Sequence, residues 1–150
     1  MRVEVDQSGK IGDTKIPTAL AFSDGIAYSI LIPATVKRAC IQNLRGGKKL
    51  ETRLYVQLFS VCLYLLIKRW IHRLDEIVID QEYPGHEGKI KEHAINLLRR
   101  AGLIEHPPAI HFALIGKRSK AHQLAFSTFK SRTAADKIIR AEEILREFKK

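Results

Sequence analysis

The chain has 150 residues, 45% hydrophobic and 28% charged, with 9 Gly and 5 Pro, which excludes a disordered or fibrous protein and fits a single domain over residues 1–150. Lys and Arg number 26 against 16 acids, a net charge of +10, and both halves are basic, so a polyanionic partner is expected, nucleic acid before an acidic membrane surface. Cys40 and Cys62 lie in apolar runs without metal spacing, which excludes a disulfide scaffold, and the acidic opening Met-Arg-Val-Glu-Val-Asp is no signal peptide, so a cytoplasmic location is expected.

In chain order, Arg2 to Asp6 alternates as a short strand and runs into the turn-rich Gln7 to Asp13. Ile16 to Phe22 reads as a second strand, Ser23-Asp24-Gly25 as a tight hairpin turn, and Ile26 to Pro33 as a third strand antiparallel to the second. Gly46-Gly47 breaks the chain before a long helix from Glu51 to Arg73. Tyr55, Val56, Phe59 and Val61 favour strands, so that helix is argued from its length. Its densest apolar stretch, Leu54 to Ile67, has 14 residues, short of the ~20 a membrane span needs, and no membrane partner is expected.

Glu76 to Asp80 is a fourth strand ending in a carboxylate, followed by the turn-forming Pro84 and Gly85. His86 to Ala101 is an amphipathic helix stopped by Gly102, and Ala109 to Ile115 a fifth strand. From Ser119 the pattern is helical to the end, with Ile138, Ile139, Ala141, Ile144, Leu145 and Phe148 spaced as one buried stripe. The expected fold is α/β, a mixed five-stranded sheet in the order β-β-β-α-β-α-β-α with helices on both faces. Right-handed crossovers place its first, fourth and fifth strands parallel and adjacent.

Asp6 and Asp80 each close an apolar strand in this reading. If those strands are parallel neighbours, their carboxyl ends lie about 5 Å apart, at the edge where open α/β sheets bind ligands. Two bare carboxylates so close raise each other's pKa unless a cation separates them, and Mg²⁺ or Mn²⁺ suits oxygen ligands. Asp136, in Ala-Ala-Asp-Lys-Ile-Ile-Arg, is a third candidate; its plainer role is a helical i, i+4 partner of Arg132 or Arg140. The fourth acid is Glu51, at the start of the long helix, or Glu82, two residues past Asp80, with Glu51 ranked slightly ahead.

These segments resemble the ribonuclease H-like superfamily of ribonuclease H and Holliday-junction resolvase type nucleases. The resemblance lies in Val3-Glu-Val-Asp6-Gln-Ser-Gly9, Ile77-Val-Ile-Asp80 and Thr133-Ala-Ala-Asp136-Lys-Ile-Ile-Arg140, and in the order of elements over nearly the whole chain; no subfamily is identified. It implies a divalent-metal-dependent nuclease that hydrolyses phosphodiester bonds with two Mg²⁺ or Mn²⁺ ions. Asp6 would bridge both ions, Asp80 and Asp136 would flank them, and Glu51 would match the family's helix glutamate.

Phosphate contacts are expected from Lys10, Lys117 and Arg132 near those acids, and from Arg45, Lys48 and Lys49 around Gly46-Gly47. That glycine segment has no interleaved aromatics, which favours a duplex, hybrid or otherwise structured nucleic acid over stacked single strands. His122, just after the fifth strand, is read first as structural and second as a proton carrier. No histidine or cysteine spacing supports zinc. The competing reading is a non-catalytic nucleic-acid-binding module on the same fold; an actin or sugar-kinase type fold would need two copies of this length. A homodimer is left open.

Overall fold

The computed structural model describes residues 1–45 and 52–148. Its centre is a six-stranded mixed sheet ordered β5-β4-β1-β2-β3-β6, made of β1 (Arg2–Ser8), β2 (Thr18–Ser23), β3 (Tyr28–Ile32), β4 (Glu76–Asp80), β5 (Ala109–Ala113) and β6 (Lys137–Ile138). The first three strands form an antiparallel meander; Asp24 and Gly25 both take positive φ, 121° and 101°, in the turn between β2 and β3. β4 lies parallel to β1 with Val5 opposite Ile79, and β5 lies parallel to β4. The expected adjacency of the first, fourth and fifth strands therefore holds.

The sheet has six strands where five were expected. Helix does not continue from Ser119 to the end: α4 (Lys120–Lys130) is followed by a 3₁₀ turn (Arg132–Ala134), β6, α5 (Ala141–Leu145) and a second 3₁₀ turn (Arg146–Phe148). Ala135 is extended, at φ −65° and ψ 139°, and β6 adds to the free edge of β3 in parallel. The helical propensity of Ala-Ala-Asp-Lys yields to this edge pairing. As a result Ile138 is 52% exposed while Ile139 and Ile144 are buried, so the single stripe expected over 138–148 is broken.

Side-chain alternation gives the sheet two unlike faces. Val5, Phe22, Ile30, Ile77 and Ile79, none more than 1% exposed, form the core with α1 (Ala34–Arg45), α2 (Thr52–Ile67) and α3 (Glu87–Arg100). The opposite face carries Glu4, Asp6, Ala19, Ala21 and Ser29, and α4 lies across β1, β2 and β3 there with Ala121, Ala125 and Thr128 buried. Small residues on both partners let that helix sit close to the strands. Helices thus cover both faces, as expected.

α2 runs directly into a 3₁₀ segment (Lys68–Arg73). The 22 residues Thr52–Arg73 are long and apolar enough to cross a membrane, yet 67% of their most apolar window is buried in the fold. A helix apolar all round is one enclosed by its own protein, here by the sheet and α3.

α1 occupies a stretch for which no helix was expected. Val36, Cys40, Ile41 and Leu44 recur at helical spacing and turn into the core. Lys37 is fully buried beside them, and its ammonium donates to Lys10 O at 3.0 Å, Asp13 O at 2.6 Å and Thr18 Oγ1 at 3.0 Å. Burial lowers its pKa to about 8, against the pull of Asp13. The lysine fastens the loop after β1 to α1, which fixes the backbone just beyond Asp6.

Candidate functional site

β1 and β4 pair from Arg2↔Glu76 to Val5↔Ile79, and the next pair in that register is Asp6 beside Asp80. There the strands part. β1 continues to Ser8 against β2 alone, through Gln7↔Leu20 and Ser8↔Ala19, while β4 ends at Asp80. Asp6 therefore does not close its strand, as the sequence suggested, but lies inside it where the parallel neighbour is lost. Such an opening at the carboxyl edge of parallel strands is where α/β sheets bind ligands.

Glu82, just past the end of β4, joins the two aspartates: Asp6, Asp80 and Glu82 each offer an oxygen within 4.8 Å of the others'. With Gln7, Phe59 and Ile79 they line a small pocket. Of the described residues, Glu82 is the acid that joins the aspartates. Glu51, Lys48 and Lys49 lie outside the described residues, as do Gly46 and Gly47.

Each acid is positioned by its neighbours. Asp6, 4% exposed, accepts the Gln7 N–H at 2.8 Å on one oxygen, and its other oxygen lies 2.7 Å from His122 Nδ1. His122 is on α4, so the helix on the polar face of the sheet reaches the site directly. Asp80 accepts the Ile115 N–H at 2.9 Å, which ties the segment after β5 to the same carboxylate. Burial raises the Asp6 carboxyl above its usual range, opposed by the His122 and Gln7 contacts. Burial, then the adjoining Asp80 and Asp6, raise Glu82 to about 7.

Beneath the acids Gln7 Nε2 donates to the Tyr83 hydroxyl at 3.4 Å, and the Tyr83 ring packs 4.8 Å from that of Phe59. Gln7 Oε1 is buried without a hydrogen-bond partner among the described residues. Three carboxylates, two of them with raised pKa, and an unpartnered amide oxygen make a cluster rich in acceptors and poor in positive charge. The sequence reading gave Gln7 no role in the site, and it did not pair His122 with Asp6.

Asp136 is not part of this cluster. Its N–H donates to Ser29 O at 3.0 Å and its carboxylate accepts the Ser29 N–H at 2.8 Å, on the β6 side of β3. Asp6 pairs with Ala21, and Ala21 with Ser29, so Asp136 lies three strand spacings from Asp6, about 14 Å. The expected trio of Asp6, Asp80 and Asp136 is therefore incorrect in its third member: Asp136 fastens an edge strand. Asp136→Ala is expected to cost about 1 kcal/mol, or about 2–4 °C of melting temperature for a domain of this size, and to leave any metal-dependent activity intact; thermal denaturation alongside a metal-dependent assay checks both.

The expected phosphate contacts are scattered. Lys10, in the loop after β1, and Lys117, in the β5–α4 connection, are exposed on segments leaving the carboxyl edge. Arg132 is exposed in the 3₁₀ turn that leads to β6, on the far side of β3. Arg45 is exposed at the last residue of α1, two helical turns and about 12 Å along the axis from Lys37.

No family model, curated protein or solved structure matches the chain.

Proposed function

We propose that the protein is a divalent-metal-dependent phosphodiesterase acting on nucleic acid, built on a ribonuclease H-like fold, with Asp6, Asp80 and Glu82 as its metal-holding residues. The observation that carries this reading is the convergence of those three carboxylates within 4.8 Å at the opening between β1 and β4. The fold assignment is supported by the order β5-β4-β1-β2-β3 and by β2 being the one reversed strand among those described.

The donor set fits a hard ion. It consists of carboxylate oxygens, which suits Mg²⁺ or Mn²⁺, and it has neither the thiolates nor the grouped imidazoles of a zinc site. Without a cation the three acids repel, as the raised Glu82 carboxyl reflects. When bound, such an ion supplies positive charge for a phosphate and lowers the pKa of a water it holds. Asp6 is oriented by Gln7 N–H and His122, Asp80 by Ile115 N–H, so the chain's contribution is a pre-set arrangement of oxygens. His122 fixes the Asp6 carboxylate from above while its ring stays 35% exposed.

The partner follows from charge. A net charge of +10, with Lys10 and Lys117 exposed on the loops that follow β1 and β5, favours a polyanionic partner. The test is cleavage of a panel of labelled duplexes, RNA–DNA hybrids and branched junctions, each with Mg²⁺, with Mn²⁺ and with a chelator. Metal-dependent cleavage of at least one member is expected. Tight, salt-sensitive binding of the panel with no cleavage in any metal would instead establish a binding module.

A further inference from the structure

The connection between β5 and α4 carries an apolar side chain that the fold does not use. Leu114 is 83% exposed, the most exposed large hydrophobic residue among those described. Lys117, Arg118 and Lys120 follow it, all exposed and none in an ion pair among the described residues. Isolated exposed leucines are ordinary; one held beside three unpaired cations at a carboxylate cluster is not accounted for by packing.

The segment is fastened on both sides of its tip. Gln81 N–H donates to Ala113 O at 3.1 Å and Ile115 N–H to Asp80 at 2.9 Å. At the other end the Ser119 hydroxyl donates to Glu4 at 2.8 Å, and Ser119 also caps α4 by accepting the Ala121 N–H at 3.1 Å. Gly116, at φ 80°, makes the bend between these anchors. Leu114 is thus the residue immediately before the amide that binds Asp80, and its place relative to the acids is set by backbone hydrogen bonds.

We propose that this segment is a wedge for nucleic acid, in which Lys117, Arg118 and Lys120 hold backbone phosphates and Leu114 enters a base step beside the bond presented to the acids. Apolar side chains inserted between bases unstack them at a cost of a few kcal/mol per step, and that cost is lowest where stacking is already interrupted. The substrate class is accordingly a nucleic acid with a bulge, branch or other opened step, in preference to an unbroken duplex. The inference rests on the proposed phosphodiesterase reading for the position of the substrate. A lone leucine among cations also suits an anionic lipid surface; the tie of this segment to Asp80 in the proposed metal-holding cluster favours nucleic acid.

The test uses 2-aminopurine placed at a bulge and, in a second duplex, at the matching paired position, titrated with the Asp6→Asn protein so that binding is read without cleavage. The expected results are about tenfold tighter binding of the bulged duplex and a fluorescence rise on binding, with Leu114→Ala in the same background bringing both duplexes to within about twofold and abolishing the rise. Leu114→Met should keep both effects, and Lys117→Ala should reduce the salt slope by about one for either duplex. Leu114→Ala is at an exposed site, and its melting temperature checks that the fold is kept. Equal fluorescence and preference with and without Leu114 would overturn the wedge, even if the wild type cleaves in a metal- and Asp6-dependent way. Leu114-dependent binding to phosphatidylserine vesicles, with no effect on the nucleic acids, would overturn it in favour of a lipid surface. A Leu114-dependent fluorescence rise together with no cleavage in any metal would uphold the wedge and defeat the phosphodiesterase reading.

Discussion

Asp6→Asn is expected to reduce Mn²⁺-dependent cleavage by about 10³-fold, the rate equivalent of about 4 kcal/mol of lost charge stabilisation, while the protein melts at or slightly above the wild-type temperature. The two halves of that expectation have one cause. Asp6 is almost wholly buried and its carboxyl is pushed toward the neutral form, chiefly by burial, so the folded state gains nothing from its charge. Asparagine keeps an oxygen for the Gln7 N–H and removes the repulsion from Asp80. What it removes from function is the negative charge at the centre of the cluster. Cleavage kinetics and a melting curve on the same preparation check the pair; unreduced cleavage would show that Asp6 is not in the active machinery.

The second large effect is on pH dependence without metal. Glu82 is raised from an ordinary 4.5 to about 7 by burial and by Asp80 and Asp6, so between these values the folded state holds a proton that the unfolded state has lost. Stability must then fall as pH rises through this window, and the penalty is complete above pH 7. At ~1.4 kcal/mol per unit, discounted for the partial exposure of Glu82, the fall is about 2 kcal/mol between pH 5 and 7.5, or about 4–8 °C. Glu82→Gln should flatten that difference, read as wild type minus variant by thermal denaturation in chelator. Saturating Mn²⁺ should flatten it as well, because a bound cation replaces the proton. A wild type and a Glu82→Gln variant with parallel pH profiles would mean that Glu82 does not face the other acids.

The proximity of Asp6 and Asp80 was legible because it needs only that β1 and β4, two short apolar strands, pair in parallel; their acids then fall in register. Glu82 was harder. Its place depends on how the chain turns after β4, which no periodicity records, and proximity in sequence to Asp80 was its one signal. His122 carried a usable clue, a histidine three residues after the serine that caps the helix following β5. The pairing with Asp6 could not be read because it depends on α4 lying over β1, which the small residues Ala19, Ala21, Ala121 and Ala125 allow only once the sheet is assembled.

Asp136 misled for a physical reason. Two alanines before an aspartate, with Ile138 and Ile139 after it, have helical spacing and good helix propensity, yet β3 offered a free edge and Ser29 an N–H for the carboxylate. Tertiary hydrogen bonding outweighed a local preference worth well under 1 kcal/mol per residue. No helix was expected over α1, because basic residues are interleaved with its apolar stripe of Val36, Cys40, Ile41 and Leu44; of these basic residues, Lys37 turns inward and fastens the loop after β1.

The most direct measurement is a calorimetric titration of the wild type with Mn²⁺ at pH 7.5, repeated with Asp6→Asn, Asp80→Asn and Glu82→Gln. Saturable binding is expected in the wild type, with proton release that is lost in Glu82→Gln, and at least about tenfold weaker binding in each variant; the stoichiometry gives the number of ions. Wild-type affinity in all three variants, or no saturable binding by a protein that is folded, would contradict the assignment of these carboxylates as a metal centre.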